Sequence, residues 1–310
     1  MDVSVIVVTY NSREVVRDCL ASIQDHACCL EYEVIVVDNA SSDGSAELVA
    51  QEFPTACLIR NRRNVGFAAA ANQGAQLAHG TYLHFVNPDA FFINDALPYF
   101  FDFLQNPANS RVGVVGAYIE DRKGNLIHSA GGFPFPISYL IARFRAVVRK
   151  ILPIRRLRKP RVNLHNRQPT STVDYVTGAD MFCRKDVFFG FGGFDERFFV
   201  YCEESDLQWR IGLAGFKRVL IDGPRIGHVG GHSIKCTNAQ RIHLETSVQK
   251  YMSKNFGRFA GSCFTFAFSV SIILEFVIDL LRWEYTPGEN LQFLSAIRRA
   301  GGDSLLGPKL

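Results

Sequence analysis

The stretch Thr81-Tyr82-Leu83-His84-Phe85-Val86-Asn87-Pro88-Asp89 has strand character and stops abruptly on its last three residues. Proline cannot donate to a strand ladder and pushes the preceding residue towards extended geometry, so we predict that the strand ends here and leaves Asp89 in the loop that follows. Ligands of open α/β sheets bind outside the carboxyl ends of the strands. Asp89 is therefore a candidate ligand-binding carboxylate, and the alternative is an Asp that forms a turn or caps a helix.

A similar pattern of a strand-like run followed by polar residues and then by a helical pattern occurs three times upstream. The runs are residues 3–8, 33–37 and 58–60, and the polar residues after them include Asn11, Asp38 and Asn64. Alternating strands and helices predict a parallel, three-layer α/β sheet with right-handed crossovers. Because the carboxyl ends of parallel strands share one edge, we expect the four polar segments to line one pocket.

Two common nucleotide-binding motifs are missing from the chain. No Gly-x-Gly-x-x-Gly follows the first strand and no Walker-type Gly-Lys-Ser is present, which disfavours a dinucleotide-binding fold and a P-loop enzyme. Asp38 is a candidate for binding a base or a ribose, because a carboxylate accepts hydrogen bonds from ring N–H and hydroxyl donors. Its alternative role is an Asx-turn in a Ser- and Asp-rich loop.

The composition predicts a folded protein of the cytosol. A chain of 310 residues with 47% hydrophobic content can bury a full core, which excludes a disordered protein. The eight cysteines are scattered without a Cys-x-x-Cys pair, so we interpret them as reduced thiols. The chain opens directly on a strand pattern without a basic leader, and no signal peptide is predicted.

Positive charge is concentrated in the middle of the chain. The net charge is only +4, but residues 143–161 contain nine Lys or Arg and no Asp or Glu, which indicates an anionic neighbour. Residues 137–157 mix these cations with apolar side chains, a pattern that suits an amphipathic helix on an anionic membrane surface. A loop over the active site is the alternative. Nucleic acid is disfavoured because no recognised binding module accompanies the basic segment.

Two later segments carry titratable residues that suggest chemistry. The sequence Tyr201-Cys202-Glu203-Glu204-Ser205-Asp206 begins a predicted helix. Its three carboxylates could serve the helix dipole, or one of them beside the neighbouring aromatic residues could have the raised basicity of a proton acceptor. His228 and His232 follow the last predicted strand in a Gly-rich loop, where a metal or phosphate contact is plausible.

The sequence pattern of the chain after about residue 239 predicts helices. A helix from about Ala239 to Asn255 leads to an apolar run from Phe259 to Leu281, whose length matches a bilayer of about 30 Å. Glu275 and Asp279 share one helical face and argue against a lipid-exposed span, so a helix in the membrane interface or packed on a partner is favoured over a span. We predict a catalytic domain at 1–235 with a basic amphipathic insertion at 137–170, and a helical, membrane-associating region at 236–310.

As an ordered set, the motifs resemble family 2 glycosyltransferases of the GT-A fold, and within them the bacterial rhamnosyltransferase branch. The resemblance covers about residues 3–233 and rests on five pieces, none of them specific alone. They are Val5-Ile6-Val7-Val8-Thr9-Tyr10-Asn11, residues 37–45, Asn64-Val65-Gly66-Phe67 with Asn72, Asn87-Pro88-Asp89, and Gly193-Phe194-Asp195-Glu196 with residues 201–206. The resemblance implies a GT-A-like, mostly parallel sheet sandwiched by helices, with a C-terminal helical appendage.

The resemblance also implies roles for individual residues. Glu204 falls at the catalytic acidic position, where the family usually has Asp, and Glu203 and Asp206 are the alternatives. Asp89 stands in for the metal-binding Asp-x-Asp, whose first Asp is Asn87 here, and His228 matches a His near the diphosphate and metal. The metal is expected to be Mg²⁺ or Mn²⁺. The residues expected to bind the donor are Thr9, Tyr10, Asn11, Asp38, Asn64, Gly66, Asn72 and Asn87.

The implied activity is an inverting transfer of a sugar, rhamnose from a dTDP donor, to a hydroxyl of a lipid-linked glycan in cell-surface polysaccharide synthesis. The enzyme is then expected to lie in the cytoplasm, peripherally on the inner face of the cell membrane. A nucleotidyltransferase is an alternative that would need a Gly-rich activating loop with Lys or Arg near the N-terminus, which is missing. A non-catalytic nucleotide-sugar-binding protein is the other alternative, and the oligomeric state is left open.

Overall fold

The computed structural model describes residues 1–26, 30–151, 168–229 and 238–281. Its strands are β1 (Val3–Thr9), β2 (Tyr32–Asp38), β3 (Cys57–Arg60), β4 (Tyr82–Val86), β5 (Ala90–Phe92), β6 (Val112–Glu120), β7 (Ala130–Gly131), β8 (Thr170–Val173), β9 (Tyr175–Val176), β10 (Asp180–Arg184) and β11 (Lys217–His228). Its α-helices are α1 (Arg13–His26), α2 (Ser45–Glu52), α3 (Phe67–Leu77), α4 (Ala96–Gln105), α5 (Pro136–Ile151), α6 (Lys185–Gly190), α7 (Glu203–Leu213), α8 (Asn238–Phe256) and α9 (Arg258–Leu281).

Nine of the described strands form one central sheet in the order β3-β2-β1-β4-β10-β6-β11-β5, with β8 also pairing with β11. Six strands (β1, β2, β3, β4, β6 and β11) run in one direction, and β5, β8 and β10 run in the other. The prediction of a mostly parallel sheet is confirmed. The sequence did not predict that β10 inserts antiparallel between β4 and β6, because nothing local in residues 180–184 specifies a partner strand.

Apolar side chains cover both faces of this sheet. β1 is buried at every position, as expected for a continuous β-branched run at the centre of a sheet. One face packs against α1, α2 and α4, and the opposite face packs against α3, α6 and α7. Gly74 of α3 allows close packing, since a Cβ at this position would lie 2.7 Å from Ile6 Cγ2. The three-layer sandwich predicted from alternating strands and helices is therefore confirmed.

A buried polar pair lies inside the sheet beside the end of β4. His84 and Asp180 are both fully buried, and His84 Nε2 lies 2.6 Å from Asp180 Oδ1. The other oxygen of Asp180 accepts a 2.7 Å hydrogen bond from the backbone N–H of Ala117 on β6. Burying a polar group costs free energy unless the group is hydrogen-bonded. The pair therefore fixes β10 against β4, three residues before Asn87.

The described residues divide into two compact units. The first contains 1–26, 30–133, 168–199 and 203–229 and includes the central sheet, and the second contains 134–151, 200–202 and 238–281. The second unit consists mainly of α5, α8 and α9, and the helices predicted at about 239–255 and 259–281 are observed. The division into 1–235 and 236–310 stays a prediction.

Several predictions reach beyond the described residues. His232, the basic residues after Ile151 and the chain after Leu281 lie outside them, as do the side chains of Glu275 and Asp279. Within the described part of the chain, no helix combines the length and apolarity needed to span a bilayer.

Candidate active site

The first polar loop, after β1, is held to the loop after β2 by hydrogen bonds. Asn11 adopts a left-handed conformation with φ 50°, which Asn tolerates better than most residues. Its backbone N–H donates to Ser41 Oγ at 2.9 Å, and its side-chain oxygen accepts from the backbone N–H of Ser42 at 2.8 Å. Tyr10 beside it is half exposed. The loop therefore presents an open aromatic ring on a backbone that is fixed.

Asp38 and Thr9 face each other in the register of β1 and β2, and both are buried. Asp38 Oδ2 accepts a 3.0 Å hydrogen bond from the N–H of Ser41, which matches the predicted turn role. Asp38 Oδ1 and Thr9 Oγ1 have no hydrogen-bond partner among the described residues. A buried polar atom left in this state costs about 1–3 kcal/mol. A ligand that donates a hydrogen bond here would remove that cost, so this position also suits the predicted binding of a nucleotide.

Asparagine side chains join the second polar loop to the third, which follows β3. Asn39 Nδ2 donates to Asn64 Oδ1 at 2.9 Å, and Asn39 Oδ1 accepts from the N–H of Val65 at 3.0 Å. Asn64 Oδ1 also accepts from the N–H of Gly66, whose φ is 89°. A Cβ at Gly66 would lie 2.5 Å from the carbonyl oxygen of Phe199, so only glycine fits there. Asn39 was not among the predicted site residues, although its amide connects the two loops.

Asn72 has a different environment from the other predicted donor-binding residues. Its Nδ2 donates to the carbonyl of Phe194 at 2.8 Å, and its Oδ1 accepts from the N–H of Phe194 at 3.0 Å. This pairing fixes the Gly-Phe-Asp-Glu loop against α3. A direct contact of Asn72 with a donor stays a prediction, and the observed hydrogen bonds show a loop-positioning role.

The fourth polar loop brings Asp89 and His228 together. β5 and β11 are antiparallel, and their register places His228 opposite Ala90. His228 Nε2 lies 3.0 Å from Asp89 Oδ1 and 3.5 Å from Asn87 Nδ2, and both Asp89 and His228 are partly exposed. β4 lies beside β1 with Val86 opposite Val7, so this loop follows the same sheet edge as the first polar loop. The structure therefore groups the two predicted metal ligands at that edge.

The Asp89–His228 pair fits a divalent cation that shares its coordination with a substrate. Among the described residues there is no group of three or more His, Cys, Asp or Glu that could enclose a metal ion. Mg²⁺ and related ions are commonly held by one or two protein ligands, with substrate phosphates and water in the remaining positions. One carboxylate and one imidazole at an accessible position match that arrangement, and they do not match a closed structural site.

The three candidate catalytic carboxylates lie in the first turn of α7 and have different surroundings. Asp206 is fully buried and lies 2.9 Å from Arg210 Nε, and Arg210 also donates to the carbonyls of Phe191 and Gly193. Because its carboxylate is already paired with the Arg210 guanidinium, Asp206 is the least suitable of the three as a proton acceptor.

Glu203 and Glu204 have raised pKa values because the surrounding protein shields both carboxyl groups from much of the solvent. Burial raises the pKa of Glu203 well above its usual value, and the neighbouring Glu204 carboxylate raises it further. Burial also raises the pKa of Glu204, while hydrogen bonds from backbone N–H groups and from Ser205 lower it. Glu203 is only 5% exposed, whereas Glu204 is partly accessible. Of the two, Glu204 is the one that can reach a substrate, and its raised pKa makes it a better proton acceptor than an ordinary glutamate.

A short segment before β10 connects Glu204 to the fourth polar loop. A Cβ at Gly178 would lie 3.7 Å from Glu204 Cγ, so the glutamate packs directly against the backbone at this position. The next residue, Ala179, accepts a 3.2 Å hydrogen bond from the N–H of Asn87 through its carbonyl. Glu204 and the Asn87-Pro88-Asp89 loop therefore both contact the segment Gly178–Ala179 at one edge of the sheet, although Glu204 and Asp89 are more than a hundred positions apart in sequence.

Comparison with known proteins identifies the family of this chain. The model of the family described as glycosyl transferase family 2 matches residues 4–187. The chain belongs to glycosyl transferase family 2. The resemblance stated from the sequence is thereby confirmed, together with the prediction of a glycosyltransferase, and the nucleotidyltransferase alternative is set aside.

Relatives within glycosyl transferase family 2 include rhamnosyltransferases. The N-acetylglucosaminyl-diphospho-decaprenol L-rhamnosyltransferase of Mycobacterium tuberculosis is 28% identical over 246 residues, which cover 74% of this chain and 76% of the relative. The rhamnosyltransferase WbbL of Escherichia coli is 22% identical over 259 residues, which cover 81% of this chain and 93% of the relative. The chain is thus similar to rhamnosyltransferases over most of its length.

Solved structures show the same fold. The mannosyltransferase PcManGT of Pyrobaculum calidifontis, in complex with GDP-Man and Mn²⁺, has a TM-score of 0.56 at 19% identity. The match covers 99% of this chain and 88% of the PcManGT chain. TarS of S. aureus (residues 1–349) in complex with UDP has a TM-score of 0.53 at 15% identity, and the match covers 98% of this chain and 89% of the TarS chain. The GT-A fold predicted for this family 2 member is confirmed.

Proposed function

We propose that this glycosyltransferase moves rhamnose from a dTDP donor to a hydroxyl of a lipid-linked glycan, with inversion at the anomeric carbon and with Mg²⁺ or Mn²⁺ bound at Asp89 and His228. The observation that supports the proposal is that Glu204 packs against Gly178 while the N–H of Asn87, two residues before Asp89, bonds to the carbonyl of the adjacent Ala179, so both carboxylates belong to segments that contact Gly178–Ala179. The similarity to the mycobacterial enzyme, whose name states an L-rhamnosyl transfer to a decaprenol-linked acceptor, supports this choice of sugar and acceptor.

The donor nucleotide is assigned to the first three polar loops. Tyr10 offers an exposed ring on which a base can stack, and the free oxygen of Asp38 can accept a hydrogen bond from a base or ribose donor. The hydrogen bonds of Asn11 and Asn39 hold these loops in place before the donor binds. Such prearranged loops reduce the ordering cost of binding.

Glu204 is assigned as the general base. The bond from the anomeric carbon to the diphosphate oxygen breaks, the acceptor oxygen bonds to the same carbon from the opposite face, and the acceptor proton passes to the Glu204 carboxylate. The products are the glycosylated acceptor and the nucleoside diphosphate. When bound, the divalent cation offsets the negative charge that develops on the leaving diphosphate. A single displacement of this kind needs no covalent enzyme intermediate and inverts the anomeric configuration.

A donor panel tests the proposed function. We expect nucleoside diphosphate release with dTDP-rhamnose, but not with UDP-glucose, GDP-mannose or UDP-N-acetylglucosamine, in the presence of a water-soluble, short-chain polyprenyl diphosphate glycan. Release should stop on addition of EDTA and resume with Mn²⁺, and NMR of the product should show the anomeric configuration opposite to that of the donor. Release with none of the donors, or binding of a donor without release, would overturn the proposal and favour a non-catalytic binding protein.

The lipid-linked acceptor implies that the enzyme works at a membrane surface. We therefore also propose that it associates peripherally with the cytoplasmic face of the cell membrane. The basic residues at 143–161 support this location, because the inner leaflet carries anionic lipids.

A further inference from the structure

The second unit presents large apolar side chains to solvent along α5. Ile137, Ile141 and Phe144 are spaced four and three residues apart, which places them on one helical face. Ile137 is 74% exposed and Phe144 is 62% exposed. A shallow groove runs along the helix and is lined by Leu140, Ile141, Phe144, Arg145 and Val148. Solitary exposed apolar residues are ordinary, but a continuous row on one face indicates a binding surface.

A second apolar row runs along α9. Its exposed members recur every three, four or seven residues, so they share one face; they are Phe259, Phe266, Val270, Ile273 and Val277. Phe259 is 84% exposed and Phe266 is 72% exposed. The two rows together are called the α5–α9 apolar surface.

The opposite face of α9 is already used inside the second unit. Phe264 and Phe268 are buried, and their rings contact Tyr139 of α5 at centroid distances of 5.5 and 6.4 Å. Gly261 lies so close to α8 that a Cβ there would be 2.3 Å from Ser253 Oγ. The exposed row of α9 is therefore not needed to hold the three helices together.

Charge identifies the class of partner for the α5–α9 apolar surface. Arg145 is exposed on α5, and the run of residues 143–161 to which it belongs contains nine cations and no carboxylate. Exposed apolar side chains beside Lys and Arg match the boundary between anionic headgroups and acyl chains, where each cation near the surface contributes about 1 kcal/mol. A symmetric pairing of two copies through α5 would instead bring two cationic runs together, which is unfavourable.

We propose that the α5–α9 apolar surface docks on an anionic lipid bilayer, with both helices lying in the interface. The inference rests on the proposed function in one respect only, namely that a lipid-linked acceptor gives the enzyme a reason to bind a membrane.

The test is flotation of the full chain with vesicles of phosphatidylcholine alone or mixed with phosphatidylglycerol. We expect binding to the anionic vesicles that weakens as salt is raised, because ions screen the attraction. The double substitution Phe259→Ser with Phe266→Ser should weaken binding by about tenfold or more, since each ring loses its burial in lipid. The pair Ile137→Ser with Phe144→Ser tests α5 in the same way.

Leu213→Ser is the matched control, because Leu213 is 73% exposed on the first unit and should leave vesicle binding unchanged. Circular dichroism checks that each variant is folded. Vesicle binding that is absent in the wild type, or unaltered in both double variants, would overturn the proposal. A dimer in sedimentation velocity that dissociates on the α9 substitutions, without vesicle binding, would assign the surface to a second copy.

Activity on the water-soluble acceptor separates this proposal from the proposed function. The double variants should release nucleoside diphosphate at the wild-type rate with that acceptor, because the substituted residues are remote in sequence from Asp89 and Glu204. Vesicle binding without any transferase activity would refute the proposed function and retain the docking surface. Transferase activity without vesicle binding would refute the docking surface and retain the proposed function.

Discussion

Replacement of Glu204 by Gln is expected to lower kcat by about 10²- to 10⁴-fold, the usual contribution of a positioned general base. Gln keeps the size of the side chain and its packing against Gly178, so the KM for the donor should change little. The loss then lies in the chemical step, and it is measured as the rate of nucleoside diphosphate release at saturating donor and acceptor.

Glu203→Gln is the matched comparison, because Glu203 is the adjacent carboxylate, is almost fully buried and has one oxygen without a hydrogen-bond partner in the described structure. Its raised pKa favours the neutral form, which Gln imitates, so this variant should keep most of its turnover. A large loss in Glu203→Gln together with a mild loss in Glu204→Gln would assign the base to Glu203.

The pH dependence follows from the raised pKa of Glu204, whose usual value is 4.5. A base acts only when it is deprotonated. Activity should therefore be present above the raised pKa and be lost as the pH falls through it, so the acidic limb of kcat/KM, which reports groups of the free enzyme, should lie above pH 4.5. A limb at or below that value would show that another group accepts the proton.

Replacement of Asp89 by Asn is expected to lower kcat/KM by roughly 10²- to 10³-fold, because charge stabilisation by a bound cation is worth several kcal/mol. The shape of the side chain is kept, but its negative charge is lost. The Mn²⁺ concentration that gives half-maximal activity should rise in the same variant. Both effects are read from metal titrations of nucleoside diphosphate release.

Asp102→Asn is the control for this second substitution, since Asp102 is an exposed carboxylate on α4. It should titrate with Mn²⁺ like the wild type. If Asp89→Asn instead kept the wild-type metal response, the cation would have to bind elsewhere, and the pair of Asp89 with His228 would be only a structural contact.

The sheet edge could be predicted from sequence because its signals are local. Each strand ends on a polar residue, and parallel strands bring those ends together whatever the details of packing. The hydrogen bonds of Asn11 to the second polar loop, and of Asn39 to Asn64, show the convergence for three of the loops. Asp38 illustrates a limit: from sequence alone, a turn contact and ligand binding are alternatives, whereas in the described structure one oxygen makes the turn contact and the other is free.

The contacts that bring the two halves of the site together could not be predicted, because they depend on strand pairing over long distances in sequence. β10 pairs with β4 about a hundred residues upstream, and this pairing places Gly178 and Ala179 between Glu204 and Asn87. The buried His84 was a usable hint, since a histidine within an apolar strand needs a partner. Its partner, Asp180, becomes identifiable only when the strand order is known.

The central claim is that Asp89 and Glu204 act on one bound donor from opposite sides, and a crystal structure with Mn²⁺ and a non-hydrolysable nucleotide sugar tests it most directly. We predict an anomalous Mn²⁺ signal in contact with Asp89 and His228, and the Glu204 carboxylate on the face of the sugar opposite the diphosphate. A Mn²⁺ signal away from Asp89, or a Glu204 carboxylate on the diphosphate side of the sugar, would contradict the account.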